Sequence, residues 1–122
     1  MDVPMSIDPE NLRQSILSDG VDDYFGLYEI IWSLNTKFPK VGEREKLAAA
    51  IPVAIDLLDK GLIELYETEW ASGSYRPLAP GAAAAAVRNP ASWKSPPERP
   101  GTYVCFAATE AGERLYYSAG RA

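Results

Sequence analysis

Three observations predict a mostly helical α+β domain. Between residues 24 and 60 apolar side chains recur at steps of three and four, from residue 62 the period drops to two, and a second β-rich run at 101–108 follows a proline-rich stretch. The chain has 122 residues, one domain's worth, enough to bury a core without a metal or disulfide. We divide it into a loose start at 1–10, a helical body with a first strand at 11–70, an insertion at 71–101, and a second strand with a C-terminal helix at 102–122.

Leu12, Ile16 and Leu17 in NLRQSILS predict a short helix over 11–18, stopped by the turn signal Asp19-Gly20. Asp22 and Asp23 then offer carboxylates to cap the next helix; their spacing does not match a calcium loop. That helix runs from Tyr24 to Phe38, with Phe25, Tyr28, Ile31, Trp32 and Leu34 on one broad stripe, and Pro39 stops it. So wide an apolar face places Trp32 and its aromatic neighbours in the core. A further helical stretch from 43 to 60 carries Leu47, Ile51, Ala54, Ile55, Leu58 and Leu62 as its buried stripe. Pro52 leaves two solutions: one kinked helix, or two helices with the second starting at the proline. Gly61 ends it.

LIELYETEW, from Leu62, alternates as a strand. Residues 71–101 hold six of the ten prolines; within them Pro80 and the alanines after Gly81 read as a short helix ended by Asn89-Pro90. GTYVCFAA is the second strand, with Cys105 as a small core residue. Thr109 caps a last helix, which Leu115, Tyr116 and Tyr117 should pack back onto the body.

Composition narrows the function. The chain contains no histidine, which removes the commonest general base and most zinc and non-haem iron sites. No glycine-rich phosphate loop is present, so neither a cofactor nor an enzymatic activity is expected. One cysteine and no membrane-length apolar run point to a cytoplasmic protein. The net charge of −5 is uneven: residues 1–70 carry −8 and residues 71–122 carry +3. An acidic body repels nucleic acid and favours a basic protein surface.

LLDKGLIELYE followed by YVCFAATEAGERLYY resembles a winged-helix domain of the MarR or PadR type, over roughly residues 24–118. The resemblance implies a two- or three-stranded wing sheet with a long wing insertion at 71–101. It also implies DNA binding, through a reading helix matched here by PVAIDLLDK and a wing touching backbone. Carried over by position, Arg44, Lys46, Lys60 and the wing's Arg76 would meet phosphate. Glu43, Glu45, Asp56 and Asp59 oppose them, and the helix lacks the side chains that read base edges.

The insertion offers another surface. Arg76, Arg88, Lys94 and Arg99 alternate with Tyr75, Trp93 and the nearby Trp70, the residue types of protein hot spots and of single-stranded nucleic-acid binding. Trp93 folding back to anchor the loop is the plainer alternative. Partner-binding candidates are therefore Trp70, Tyr75, Arg76, Arg88, Trp93 and Lys94. The expected function is a non-enzymatic, acidic winged-helix module for a basic protein partner, immunity- or antitoxin-like. A dimeric DNA-binding regulator is the alternative, and a piece of a larger assembly a third reading, should the aromatic face of 24–38 exceed what the core covers.

Overall fold

A computed structural model describes residues 7–69, 74–95 and 101–119; Trp70, Glu98 and Arg99 lie outside the described residues. The elements are α1 (Pro9–Asp22), β1 (Phe25–Gly26), α2 (Leu27–Lys37), α3 (Glu43–Asp59), β2 (Ile63–Glu69), β3 (Tyr75–Pro77), α4 (Pro80–Arg88), a 3-10 turn (Pro90–Trp93), β4 (Thr102–Ala108) and α5 (Glu110–Ala119). The chain is an α+β fold, mostly helical. Its antiparallel sheet has four strands, not two or three, in the order β1-β4-β2-β3.

α1 starts where its chemistry allows, with Pro9 in the first turn and the Asp8 carboxylate accepting the Asn11 N–H at 3.3 Å. It does not stop at Asp19-Gly20. Gly20 lies inside the helix against the Phe106 ring, and a Cβ there would come within 2.9 Å of the Ala108 nitrogen. Close approach to β4, not a turn, explains that glycine.

Tyr24 and Phe25 are not helical. Phe25 and Gly26 pair with Phe106 and Cys105 as a two-residue edge strand, and α2 begins only at Leu27. Asp23 does not cap it, and the side chain of Asp22 lies outside the described residues. The Glu29 carboxylate reaches back to accept the Gly26 N–H at 2.7 Å, while Asp23 accepts from Tyr24 at 2.7 Å.

α3 is one helix with Pro52 inside it, on an exposed position. Its buried line is Ala50, Val53, Ala54 and Leu57; Ala54 and the following Leu62 are buried as expected, while Leu47, Ile51, Ile55 and Leu58, one position off that line, are only half-buried. Ala50 and Ala54, with Val53 and Leu57, mark where α3 meets its neighbours. α1 packs along it, tied by an Arg13–Asp56 ion pair of 2.5 Å, and α4 packs on it as well.

The described part of the insertion is folded. β3 pairs with β2, and α4 buries Ala83 and Val87. The 3-10 turn drives Trp93 into the core, 3% exposed, with its indole Nε1–H donating to the Val87 carbonyl at 2.9 Å. Gly61 takes a positive φ of 70° between α3 and β2, where glycine carries no Cβ penalty. Thr109 caps α5 through its hydroxyl, which accepts the Gly112 N–H and donates to the Gly61 carbonyl. Only Tyr116 of the expected trio packs inward, its hydroxyl accepting from Ser18; Leu115 and Tyr117 are exposed.

Candidate protein-contact face

Strand alternation gives the sheet two faces. Phe25, Ile63, Leu65, Val104 and Phe106 point into the helices and form the core. The register puts Glu64, Tyr66, Thr68, Tyr75, Tyr103 and Cys105 on the other face. No lysine or arginine alternates onto that face from the four strands. There the side chains cover one another: Thr68 and Cys105 are 2% and 1% exposed beneath neighbouring rings.

The rings form two groups. Tyr24, at the entry to β1, stacks on Tyr75 with centroids 4.0 Å apart and planes 16° from parallel, and meets Tyr66 edge-on at 5.1 Å. Tyr28, in the first turn of α2, meets Tyr103 at 5.8 Å and Trp32 at 4.9 Å, both near-perpendicular. Gly26 must be glycine here, because a Cβ would run into the Tyr28 ring. The edge-to-face pairs are an arrangement aromatic rings prefer, about 0.5–1.5 kcal/mol each beyond burial. Trp32, expected in the core, is 54% exposed, and Tyr24 and Tyr75 are each 41% exposed. The broad apolar stripe has one flank for the core and another for this face.

The chemistry is that of neutral donors beside carboxylates. Tyr66 donates to Glu64 Oε2 at 2.8 Å, which together with burial pushes its phenol up to about 12. Burial, then the neighbouring groups, pushes Tyr103 up to about 12 and raises Tyr28 and Tyr75. Burial and then the Glu29 charge push the Cys105 thiol up to about 12, the setting of a buried, protonated thiol. Asp23, Glu29 and Glu64 border the rings. Among the described residues no group of three or more metal-ligating side chains assembles.

The residues singled out in the sequence do not form one site. Tyr75 belongs to the ring face, but Arg76, one residue on, turns to the opposite side and pairs with Glu67. Trp93 is a buried anchor and cannot be a surface contact. Arg88 and Lys94 are exposed, at the end of α4 and after the 3-10 turn. Lys46 is buried at 5% exposure, its ammonium donating to Asn35 Oδ1 at 2.7 Å, and Lys60 lies 3.2 Å from Asp56. Of the expected phosphate contacts, Arg44 alone is exposed and without an ion pair or hydrogen bond among the described residues. Tyr66 and Tyr103 stand outside the sequence candidates, and Tyr24, Tyr28 and Trp32 enter there only as part of an aromatic face that could exceed what the core covers. Tyr66, Tyr75 and Tyr103 do fall in strands, but it is the register, known only from the structure, that brings them to one face. A cleft of about 270 Å³ between α1 and α2, floored by Leu12, Ile16, Ile30, Leu34 and Phe38, shares no residue with that face.

Compared with family models, curated proteins and solved structures, the chain matches none.

Proposed function

We propose that the chain is a non-enzymatic protein-recognition module that holds a basic partner protein on its tyrosine face. The observation that carries this reading is a set of five tyrosines and Trp32 gathered on the sheet face away from the core, bordered by Asp23, Glu29 and Glu64. Tyrosine and tryptophan supply large contact area with a polar edge and dominate protein hot spots. The carboxylates favour a cationic partner and repel phosphate. Charge logic of this kind is what an immunity- or antitoxin-like protein uses; it also makes association salt-dependent.

The fold itself we read as winged-helix-like. β4 lies between β1 and β2, and α2 and α3 precede the β2–β4 pair, an order consistent with the resemblance in the sequence. On that reading β3, α4 and the 3-10 turn are the wing insertion, and all of α3, not its second half alone, matches the reading helix. The DNA-binding alternative draws its support from this order. Against it, α3 is packed between α1 and α4 and exposes Glu43, Glu45 and Asp59 beside Arg44 and Lys60.

Titration against labelled duplex and single-stranded DNA, alongside retention on an immobilised basic protein, separates the two. The module reading expects no DNA binding even near about 50 mM salt, and retention that weakens when Trp32 and Tyr75 become serine. Salt-steep DNA binding lost with Arg44→Glu or Arg88→Glu would overturn it.

A further inference from the structure

Resting on that reading, we propose that the group received by the tyrosine face is guanidinium: the partner presents an extended segment with two arginines, one for each ring group. Each group has its own positioned carboxylate. Asp23 is held through Oδ1 by the Tyr24 N–H at 2.7 Å, and Glu64 through Oε2 by the Tyr66 hydroxyl at 2.8 Å, both beside the Tyr24–Tyr66–Tyr75 group. Glu29 is held through Oε2 by the Gly26 N–H at 2.7 Å, and its charge adds to the burial that raises the Tyr28 and Tyr103 phenols. Carboxylates fixed before the partner arrives lose little freedom on binding.

Rings beside carboxylates select arginine over lysine. A guanidinium is planar, sheds water more readily than an ammonium, stacks face-on against an aromatic ring and keeps its N–H donors in plane for a carboxylate at the ring's edge. The exposed ring area needed for stacking is present at Trp32, Tyr24 and Tyr75.

Register sets the spacing. Thr68 on β2 is the cross-strand partner of both Tyr75 on β3 and Tyr103 on β4, so the backbones that carry one ring of each group lie two strand separations apart, about 10 Å. A polyproline II segment presents every third side chain on one side, at a repeat of about 9 Å. Arginines three residues apart in such a segment reach both groups together, which multiplies two weak contacts into one stronger one.

The probe is the blocked hexapeptide ARPPRA, titrated into the full chain and followed by amide and indole NMR shifts. Control peptides replace both arginines with lysine, both with citrulline, or one with alanine. We expect shifts at the Trp32 indole and at Tyr24, Tyr75 and Tyr103, with binding at least five-fold weaker for the lysine peptide and ten-fold weaker for the single arginine. Citrulline should abolish it, as should Trp32→Ala combined with Tyr75→Ser in a chain whose circular dichroism is unchanged. Equal binding of the lysine peptide, or shifts centred on α3 or α4, would overturn the guanidinium assignment. Absence of any peptide binding would also overturn it, while retention on the immobilised basic protein judges the broader reading separately. Concentration-dependent dimerisation lost with Trp32→Ala would make a second copy the occupant and likewise overturn it.

Discussion

Trp93 and Trp32 look alike in the sequence, each a tryptophan in a promising context, yet the structure gives them opposite consequences. Trp93 is 3% exposed, packed in the core cluster, and its Nε1–H satisfies the Val87 carbonyl at the end of α4. Trp93→Ala removes that packing and orphans a buried acceptor, so it should cost about 3–5 kcal/mol. A domain of this kind has about 5–15 kcal/mol of stability in total. With a urea slope of about 1–3 kcal/mol per molar, the midpoint should fall by about 2 M. Trp93→Phe keeps most of the packing and loses only the hydrogen bond, and should fall between. Trp32→Ala, at a half-exposed position, should stay within about 1 kcal/mol. Urea unfolding monitored by far-ultraviolet circular dichroism measures all three. Equal costs at the two tryptophans, or a cost below about 1 kcal/mol for Trp93→Ala, would refute the assignment of one as anchor and the other as surface.

Three further outcomes follow from the same packing. Gly112→Ala should destabilise despite alanine's better helix propensity, because its Cβ would meet the Leu62 carbonyl, whereas Gly81→Ala in α4 meets nothing and should gain up to about 1 kcal/mol; thermal denaturation reads both. Tyr66 and Tyr103 titrate in the folded chain at about 12 against an ordinary 10.0, so their contribution to stability is intact below pH 10 and is lost as pH rises toward 12; absorbance at 295 nm against pH, with parallel unfolding curves, tests it. The Arg13 guanidinium, then Lys60, hold the Asp56 carboxyl below its ordinary value, so this contribution is present above the usual carboxylate range and is lost as pH falls through the depressed value. Carboxyl chemical shifts should show that value return toward normal in Arg13→Gln.

Periodicity recovered the large elements. α2, α3, β2, the short alanine helix and β4 all follow from local spacing and from proline and glycine at their ends. What it missed depends on partners distant in sequence. Gly20 reads as a stop until β4 is seen lying against it, and Phe25 reads as helical until Phe106 pairs with it. Lys46 reads as a surface cation until Asn35 receives its ammonium. The tyrosine face was hidden for the same reason: Tyr24, Tyr66, Tyr75 and Tyr103 span eighty residues, and only strand register makes them neighbours. The arginines and Trp93 of the 71–101 stretch stand close in sequence, yet the fold buries Trp93 and turns Arg76 to the opposite side of the sheet from Tyr75.

One measurement bears on that surface itself. A photoreactive phenylalanine analogue replaces Trp32 in one protein and Lys94 in another, and each is irradiated in cells expressing it. A protein with a basic surface should cross-link strongly from position 32 and weakly or not at all from position 94. Cross-links that form from position 94 instead, or that join position 32 to nucleic acid, would contradict the assignment of the tyrosine face as the place where a basic protein docks.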